Sequence, residues 1–337
     1  MRLYISLLFA FIQLNAQSGI ISGFISDSSS AEALIGANVI LQETGQGMAT
    51  DINGYYIIQD ITPGNYVLMV SYVGFKLKKE KLKISDGQSI KLDISLSEDV
   101  VELTQIEVTA EQIQRKSNIQ PSKINLSPRM MKAAPALAEP DLFRTIQALP
   151  GVLTTSEFST GLVIRGGNTD QNLILLDGVT VYNPSHLGGI FSNFIVDGVK
   201  EAELIKGAYN AEYGGRLSAV LNIISREGNQ KKFEGKANLS LLSAQATFEG
   251  PFYKGAWVFS GRRTYFDKIF QNVPTIPPYY FYDIQSHIYT DLTSKDRLSL
   301  SFYNGVDDLL FDTFGLTGRW GNRTAVSYTH LTLPTNH

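Results

Sequence analysis

The sequence predicts a mainly β protein laid out in three successive parts: a small antiparallel β-sandwich, a mixed α/β segment, and a run of long alternating strands. Three observations support this. Gly (29), Phe (18) and Tyr (16) are abundant among the 337 residues, the mix that tight turns and half-buried pleated surfaces use. Residues 17–97 read as short β-prone runs separated by turn dipeptides. Beyond residue 228, apolar and polar residues alternate over stretches of about ten, the signature of strands with two unlike faces.

Composition removes several function classes. Charged residues make up 18% and hydrophobic residues 43%, which fits neither a disordered tail nor a helical membrane protein. A net charge of −3 gives no electrostatic case for a nucleic-acid partner. Cysteine is absent, which excludes a disulfide framework, a thiolate metal site and a lipoprotein anchor. Of four histidines, His330 and His337 fall in the last eight residues, so neither a His-rich metal site nor a cofactor is expected.

Residues 1–16 read as an export signal peptide. Arg2 supplies a short positive region, and residues 3–14 form an apolar stretch shorter than the ~20 residues of a spanning helix. Ala16 is a small residue before the cut, although Leu14 departs from the usual small residue at the third position before it. The mature chain is expected to begin at or near Gln17, and an intact Met1 on envelope-localised protein, read by mass spectrometry, would contradict this. No later run reaches ~18 apolar residues, so any membrane-spanning part has to be β.

In the sandwich segment, β-rich runs fall at 20–25, 37–42, 55–59, 66–72 and 90–96. Asn53-Gly54 suits a type I′ turn and Pro63-Gly64 a type II turn with Gly left-handed. The basic alternation from Lys76 to Lys83 reads as an edge strand guarded by lysines rather than a polyanion site. Gly23-Phe24-Ile25-Ser26-Asp27, Leu34-Ile35-Gly36-Ala37-Asn38-Val39, Thr50-Asp51-Ile52-Asn53-Gly54-Tyr55-Tyr56, Pro63-Gly64-Asn65-Tyr66 and Tyr72-Val73-Gly74-Phe75 follow in order. This segment resembles the carboxypeptidase-regulatory-like domain, which implies a transthyretin-like, non-catalytic sandwich. A zinc carboxypeptidase would need an H-x-x-E pair, and neither His186 nor His287 has Glu three residues on.

Residues 98–120 read as a polar linker. Within it Ile106, Glu107, Val108, Thr109 and Ala110 form a short β-prone island, either a last sandwich strand or an extended peptide for a partner to capture.

Residues 121–227 have a mixed pattern. Helical stretches are broken by Pro128, Pro135 and Pro140; Asp141 suits the N-cap of a helix over 142–149 that ends at Pro150-Gly151. Strands are expected at 161–165, 173–177, 201–205 and 219–225. The motifs in order are Leu149-Pro150-Gly151-Val152, Val163-Ile164-Arg165-Gly166-Gly167, Leu175-Leu176-Asp177-Gly178-Val179, Glu203-Leu204-Ile205-Lys206-Gly207, Glu212-Tyr213-Gly214 and Leu221-Asn222-Ile223. This run resembles the plug domain of TonB-dependent outer-membrane receptors. One departure is Ser218-Ala219, where many plugs have a glycine pair. The glycines suit tight turns and close backbone approach. Arg165 and Asp177, at strand ends, are candidates for contacts to a barrel wall, or for ordinary local charges.

The resemblance implies that the island 106–110 is the TonB box and that the partners are TonB, the inner-membrane proton-motive-force complex and an extracellular solute. A surface lipoprotein partner is compatible with it. Residues 228–325 then read as the first strands of a truncated transmembrane barrel. The apolar series Ile288, Thr290, Leu292, Leu298, Leu300 and Phe302 faces away from Arg297, Ser299, Ser301 and Tyr303 across a turn at 293–296. A barrel of this family has about 22 strands of about ten residues, and the chain after the plug holds four or five. Residues 326–335, Val-Ser-Tyr-Thr-His-Leu-Thr-Leu-Pro-Thr, resemble the translation of a transposon-end sequencing adapter, so 326–337 is read as artefact.

The function expected is TonB-dependent import across the outer membrane. The competing reading is a surface-exposed or secreted sandwich that binds or adheres without transport. Catalysis is not expected: there is no G-x-S-x-G elbow, Gly45-Gln46-Gly47 lacks the third glycine of a dinucleotide site, and Asp307-Asp308 reads as solvated loop charge.

Overall fold

The structure is a computed structural model that describes residues 18–99, 123–134, 139–156, 159–270, 273, 278–293, 296–313 and 316–332, with side chains as far as Leu309. These residues fall into two compact units. One holds residues 18–28 and 33–99, the other residues 29–32 and everything from 123 onward.

The first unit is a β-sandwich. Its strands are β1 (Gly19–Asp27), β2 (Asn38–Leu41), β3 (Gly47–Ala49), β4 (Tyr55–Ile61), β5 (Gly64–Ser71), β6 (Lys78–Ile84), β7 (Ser89–Lys91) and β8 (Ile94–Leu96). One sheet runs β4-β1-β7 with β8 also on β1; the other runs β3-β2-β5-β6. Alternate residues Ile21, Ile25, Val39, Leu41, Ile58, Leu68 and Val70 point into one core. β6 is the edge strand expected, paired only to β5, with Lys78, Lys79, Lys81 and Lys83 exposed.

Both turn assignments need correction. At Asn53-Gly54 only Gly54 is left-handed (φ 75°), and its N–H donates to the Asp51 carbonyl at 2.9 Å. The Asp51 carboxylate accepts from the N–H groups of Asn53 (2.9 Å) and Tyr55 (2.8 Å), so an aspartate turn replaces the type I′ geometry. Pro63-Gly64 joins strands of different sheets and Gly64 is not left-handed; the left-handed residue is Asp60 (φ 55°), beside the register shift between β4 and β1. Because its core is self-contained, the excised fragment 17–97 is expected to unfold in one cooperative transition. A random-coil circular dichroism spectrum would contradict this.

The second unit begins with a mixed part. It comprises β9 (Lys123–Leu126), helix α1 (Pro128–Ala133), helix α2 (Leu142–Gln147), β10 (Val152–Thr154), β11 (Leu162–Ile164), β12 (Leu173–Leu176), β13 (Val179–Thr180), β14 (Ser185–His186), β15 (Phe191–Ser192), β16 (Val199–Ile205) and β17 (Val220–Ser225). The central sheet runs β13-β12-β17-β16-β9, with β10-β11 and β14-β15 as separate hairpins. Asp141 caps α2 as expected, accepting from Phe143 N (2.8 Å) and Arg144 N (3.1 Å). Pro128 opens α1 rather than breaking it, since the first turn needs no proline N–H. Phe143 and Ile146 of α2 pack with Leu162, Ile174, Leu204 and Ile223 in the core.

The rest is an antiparallel meander in sequence order: β18 (Glu234–Leu239), β19 (Ser243–Phe252), β20 (Gly255–Thr264), a helical turn α3 (Phe266–Ile269), β21 (Tyr279–Asp291), β22 (Arg297–Thr313) and β23 (Leu316–Thr332). It has six strands rather than four or five and is open among the described residues. The β19–β20 hairpin turns at Tyr253-Lys254, and Gly250-Pro251 pair with Trp257 and Ala256 inside its ladder. The β18 ladder ends at Glu249, so Pro251 has a strand on one side only and its missing N–H costs nothing there. β23 continues through residues 326–332, a stretch rich in the β-prone Val, Tyr and Thr.

The meander is inside-out relative to a soluble sheet. Thr247, Glu249, Ser260, Arg262, Asp283, Gln285, Ser301 and Asp307 are buried. Phe248, Phe259, Leu298, Leu300 and Phe302 on the opposite face are exposed. A soluble sandwich places these two sets the other way round.

Candidate functional site between the mixed sheet and the meander

Strand alternation sends the polar residues of β20, β21 and β22 inward, where they meet the β14–β15 hairpin and the segment before α2. Arg262 on β20 lies at the centre, 4% exposed. Its guanidinium donates to Glu139 Oε1 (2.8 Å), Asp283 Oδ2 (2.9 Å from Nε) and the Ser192 carbonyl (2.6 Å), and stacks 5.1 Å from the Phe281 ring centre. Each of the three nitrogens of this buried cation donates to an acceptor, as an ion pair out of water requires.

Beside it, His186 at the end of β14 is 1% exposed and lies flat on Phe281, ring centres 4.1 Å apart. Its Nε2 is 2.7 Å from Asp283 Oδ1 and its Nδ1 is 3.0 Å from Asp307 Oδ2. Asp307 also accepts from Tyr279 Oη (2.5 Å) and Leu187 N (3.2 Å). Asp307 therefore sits in β22, buried and fully partnered, which corrects its reading as loop charge. Gly305 leaves the space: a Cβ there would come within 3.0 Å of Asp283 Oδ1. Sequence reasoning missed this centre because its members lie up to 168 positions apart, Glu139 to Asp307. Only their place on the unexpectedly polar side of the strands signals it.

A second contact runs through Asp177, which accepts from Ser225 N (2.8 Å) in the mixed part and from Ser301 Oγ (2.6 Å) in the meander. Asp177 thus reaches the meander, and Arg226 pairs with Glu249 of β19 at 2.7 Å. Arg165 makes no such contact among the described residues.

Arg165-Gly166 and Asp177-Gly178 are two matching turns, each with both residues left-handed (φ 50° and 81°; 50° and 82°). Arg165, Gly166, Gly167, Lys206 and Gly207 line one open cavity of about 410 Å³ with Gln171 and Ser218. Gly167 is needed for close approach, since a Cβ would fall 2.5 Å from the Ser218 Cβ. Lys206 donates to the Pro150 carbonyl at 2.7 Å, and burial and then Arg165 lower its pKa. Tyr213 packs on Leu173, Leu175, Ile205 and Val220, and Gly214 lies in the adjoining loop. Ile106, Glu107, Val108, Thr109 and Ala110 lie outside the described residues.

One buried carboxyl stands apart. Glu201 on β16 is 4% exposed and its Oε2 has no partner among the described residues. Burial, and then Glu203, push its pKa up to about 7, against the pull of Lys123 and Lys200. A pKa raised above the unfolded value favours the fold at low pH, and that contribution is lost as pH rises through about 7. Glu201→Gln is therefore expected to slow hydrogen exchange in β16 and β17 at pH 8, by up to about 3 kcal/mol of opening energy, and to change little at pH 5. Equal exchange of variant and parent at pH 8 would contradict it.

Comparison with known proteins decides the family. Residues 21–108 match the CarboxypepD_reg-like domain, and residues 122–220 match the TonB-dependent Receptor Plug Domain. TonB-dependent receptor P26 of Formosa agariphila is 30% identical over 250 residues, 69% of this chain and 23% of that protein. The chain belongs to the TonB-dependent receptors. The TonB-dependent transporter Oar of Myxococcus xanthus is 24% identical over 64% of this chain and 21% of its own length. The outer membrane transporter YddB of Escherichia coli superposes with a TM-score of 0.46 at 9% identity, covering 64% of this chain and 37% of that one. The chain thus spans less than a quarter of the curated relatives' length. The mixed part is the receptor's plug, and Arg262, His186 and Asp177 are where plug and meander meet.

Proposed function

We propose that this chain is the N-terminal part of an outer-membrane importer, in which the meander is barrel wall, the plug blocks the lumen, and TonB supplies force from the inner membrane. The inside-out meander carries this reading. An exposed face of Phe248, Phe259, Leu298, Leu300 and Phe302 suits lipid, and a buried face of charged residues suits a lumen filled by protein. A secreted adhesive sandwich does not have this distribution. Its sheets would bury the phenylalanines and expose Arg262, Asp283 and Asp307.

In this reading an apolar patch, Leu187, Ile190 and Phe191 on Tyr279 and Phe281, supplements a plug–wall interface made mostly of polar contacts. Such contacts exchange for water one by one as the plug is displaced, whereas an apolar seal would have to be exposed whole. The solute binds from outside, and TonB captures residues 106–110 as an added strand on the periplasmic side. The complete receptor is expected in the outer-membrane fraction with heat-modifiable gel mobility, and to bind the TonB periplasmic domain. Recovery as a soluble periplasmic or secreted protein would overturn the proposal.

A further inference from the structure

We infer that His186 is an imidazolium clamp: a buried, doubly protonated ring that pins the β14–β15 hairpin of the plug between wall strands β21 and β22, and that loses its hold when its proton leaves. The ring geometry requires the charge. Both nitrogens face carboxylate oxygens, Asp283 Oδ1 at 2.7 Å and Asp307 Oδ2 at 3.0 Å. A neutral imidazole has one N–H and one lone pair, so one nitrogen would point a lone pair at an anion.

Protonating an aspartate instead is disfavoured by what already surrounds each carboxylate. Asp307 Oδ1 accepts from Tyr279 Oη and Leu187 N, and Asp283 Oδ2 accepts from Arg262. Tyr303 Oη lies 3.4 Å from Asp283 Oδ1. Each carboxylate is thus supplied with donors as an anion, and only the two ring N–H groups complete the set. The charged groups facing the ring are Asp283 of β21, Asp307 of β22 and Arg262 of β20, with Glu139 behind Arg262. With Asp141 also acting on Arg262, four carboxylates against one guanidinium leave room for a second cation.

Burial lowers the His186 pKa, but Asp283 and Asp307 more than reverse this, and the group is held above its usual 6.5 despite Arg262. The sign follows. A folded pKa above the unfolded value makes the clamp fully present below about 6.5 and lost as pH rises through the raised value. The plug hairpin becomes easier to unseat on the alkaline side. A link to import rests on the function proposed above, whereas the clamp itself does not.

The test is solid-state NMR of the complete receptor in lipid with ring-15N histidine, the His186 signals assigned by their loss in His186→Gln. At pH 7, where an ordinary imidazole is mostly neutral, both His186 nitrogens are expected to be protonated. Hydrogen exchange around residues 185–192 should be at least tenfold faster in His186→Gln than in the parent at pH 6. That gap should close at high pH, after correction against the sandwich unit for base catalysis. A neutral His186 tautomer at pH 7 overturns the proposal, and so does equal exchange at pH 6. If His186→Gln does not assemble, the His186 ring of the parent is assigned by sequential backbone correlation through Ser185 and Leu187, and its protonation decides alone.

Discussion

Arg262→Ala in the complete receptor is expected to loosen the plug while the barrel stays closed. The guanidinium joins wall strand β20 to Glu139 and the Ser192 carbonyl of the plug and to Asp283 of β21. Truncation strips Glu139 of its cation and Asp283 of one of its two, a loss of about 3–5 kcal/mol when one partner of a buried pair is removed. The wall itself is held by main-chain ladders running β18 to β23, which the substitution does not touch. Heat-modifiable mobility should therefore survive. The plug should become protease-sensitive, and cells should become sensitive to large antibiotics that the outer membrane excludes. Arg262→Lys should fall between, because an ammonium cannot span Glu139 and Asp283 as the guanidinium fork does. A protease-resistant plug and unchanged permeability in Arg262→Ala would mean that this centre does not hold the plug.

Val108→Pro is expected to abolish energy-dependent uptake and leave solute binding within a few-fold of the parent. A captured strand pairs through its backbone, and proline removes one donor and fixes φ near −65°, interrupting the ladder. Binding is expected to survive because the proposed entry of solute is from outside, away from residues 106–110. Val108→Ala keeps the donor and should be much milder. Binding and uptake measured side by side in whole cells decide it. Normal uptake in the proline variant would place the TonB box elsewhere between residues 98 and 120.

Most strands were legible where a two-residue period marked them, but the run expected over 90–96 is two strands, β7 and β8. Lys78 to Ile84 was readable as an edge because four of its residues are lysines. Turn types were less legible. Asp51 and Asp60, not the Asn-Gly and Pro-Gly dipeptides, carry the local geometry, and their effect depends on hydrogen bonds and a register shift that adjacent residues do not announce. The plug motifs located Arg165, Asp177 and Lys206 but not their roles. Asp177 reaches the wall, whereas Arg165 and Lys206 share a cavity. The His186 centre was illegible because an alternating strand looks the same whether its apolar face meets a core or lipid. Only burial shows that Asp283 and Asp307 point inward. For residues 326–332, strand pairing does not separate native from foreign sequence, since either is β-prone. We propose that the genomic reading frame departs from this sequence after residue 325.

The central claim is that the meander is membrane wall with its apolar face on lipid. These 337 residues hold no cysteine, so in a complete receptor cleared of any cysteine elsewhere, single introduced cysteines report one position each. Spin labels at 248, 259, 298, 300 and 302, measured in outer membranes, are expected to collide with lipid-soluble oxygen and to be shielded from a water-soluble nickel chelate. Labels at 247, 260 and 301 should be shielded from both, packed against the plug. Strong collision with the nickel chelate at 248, 259 and 302 would show that this face meets water, and would contradict the account.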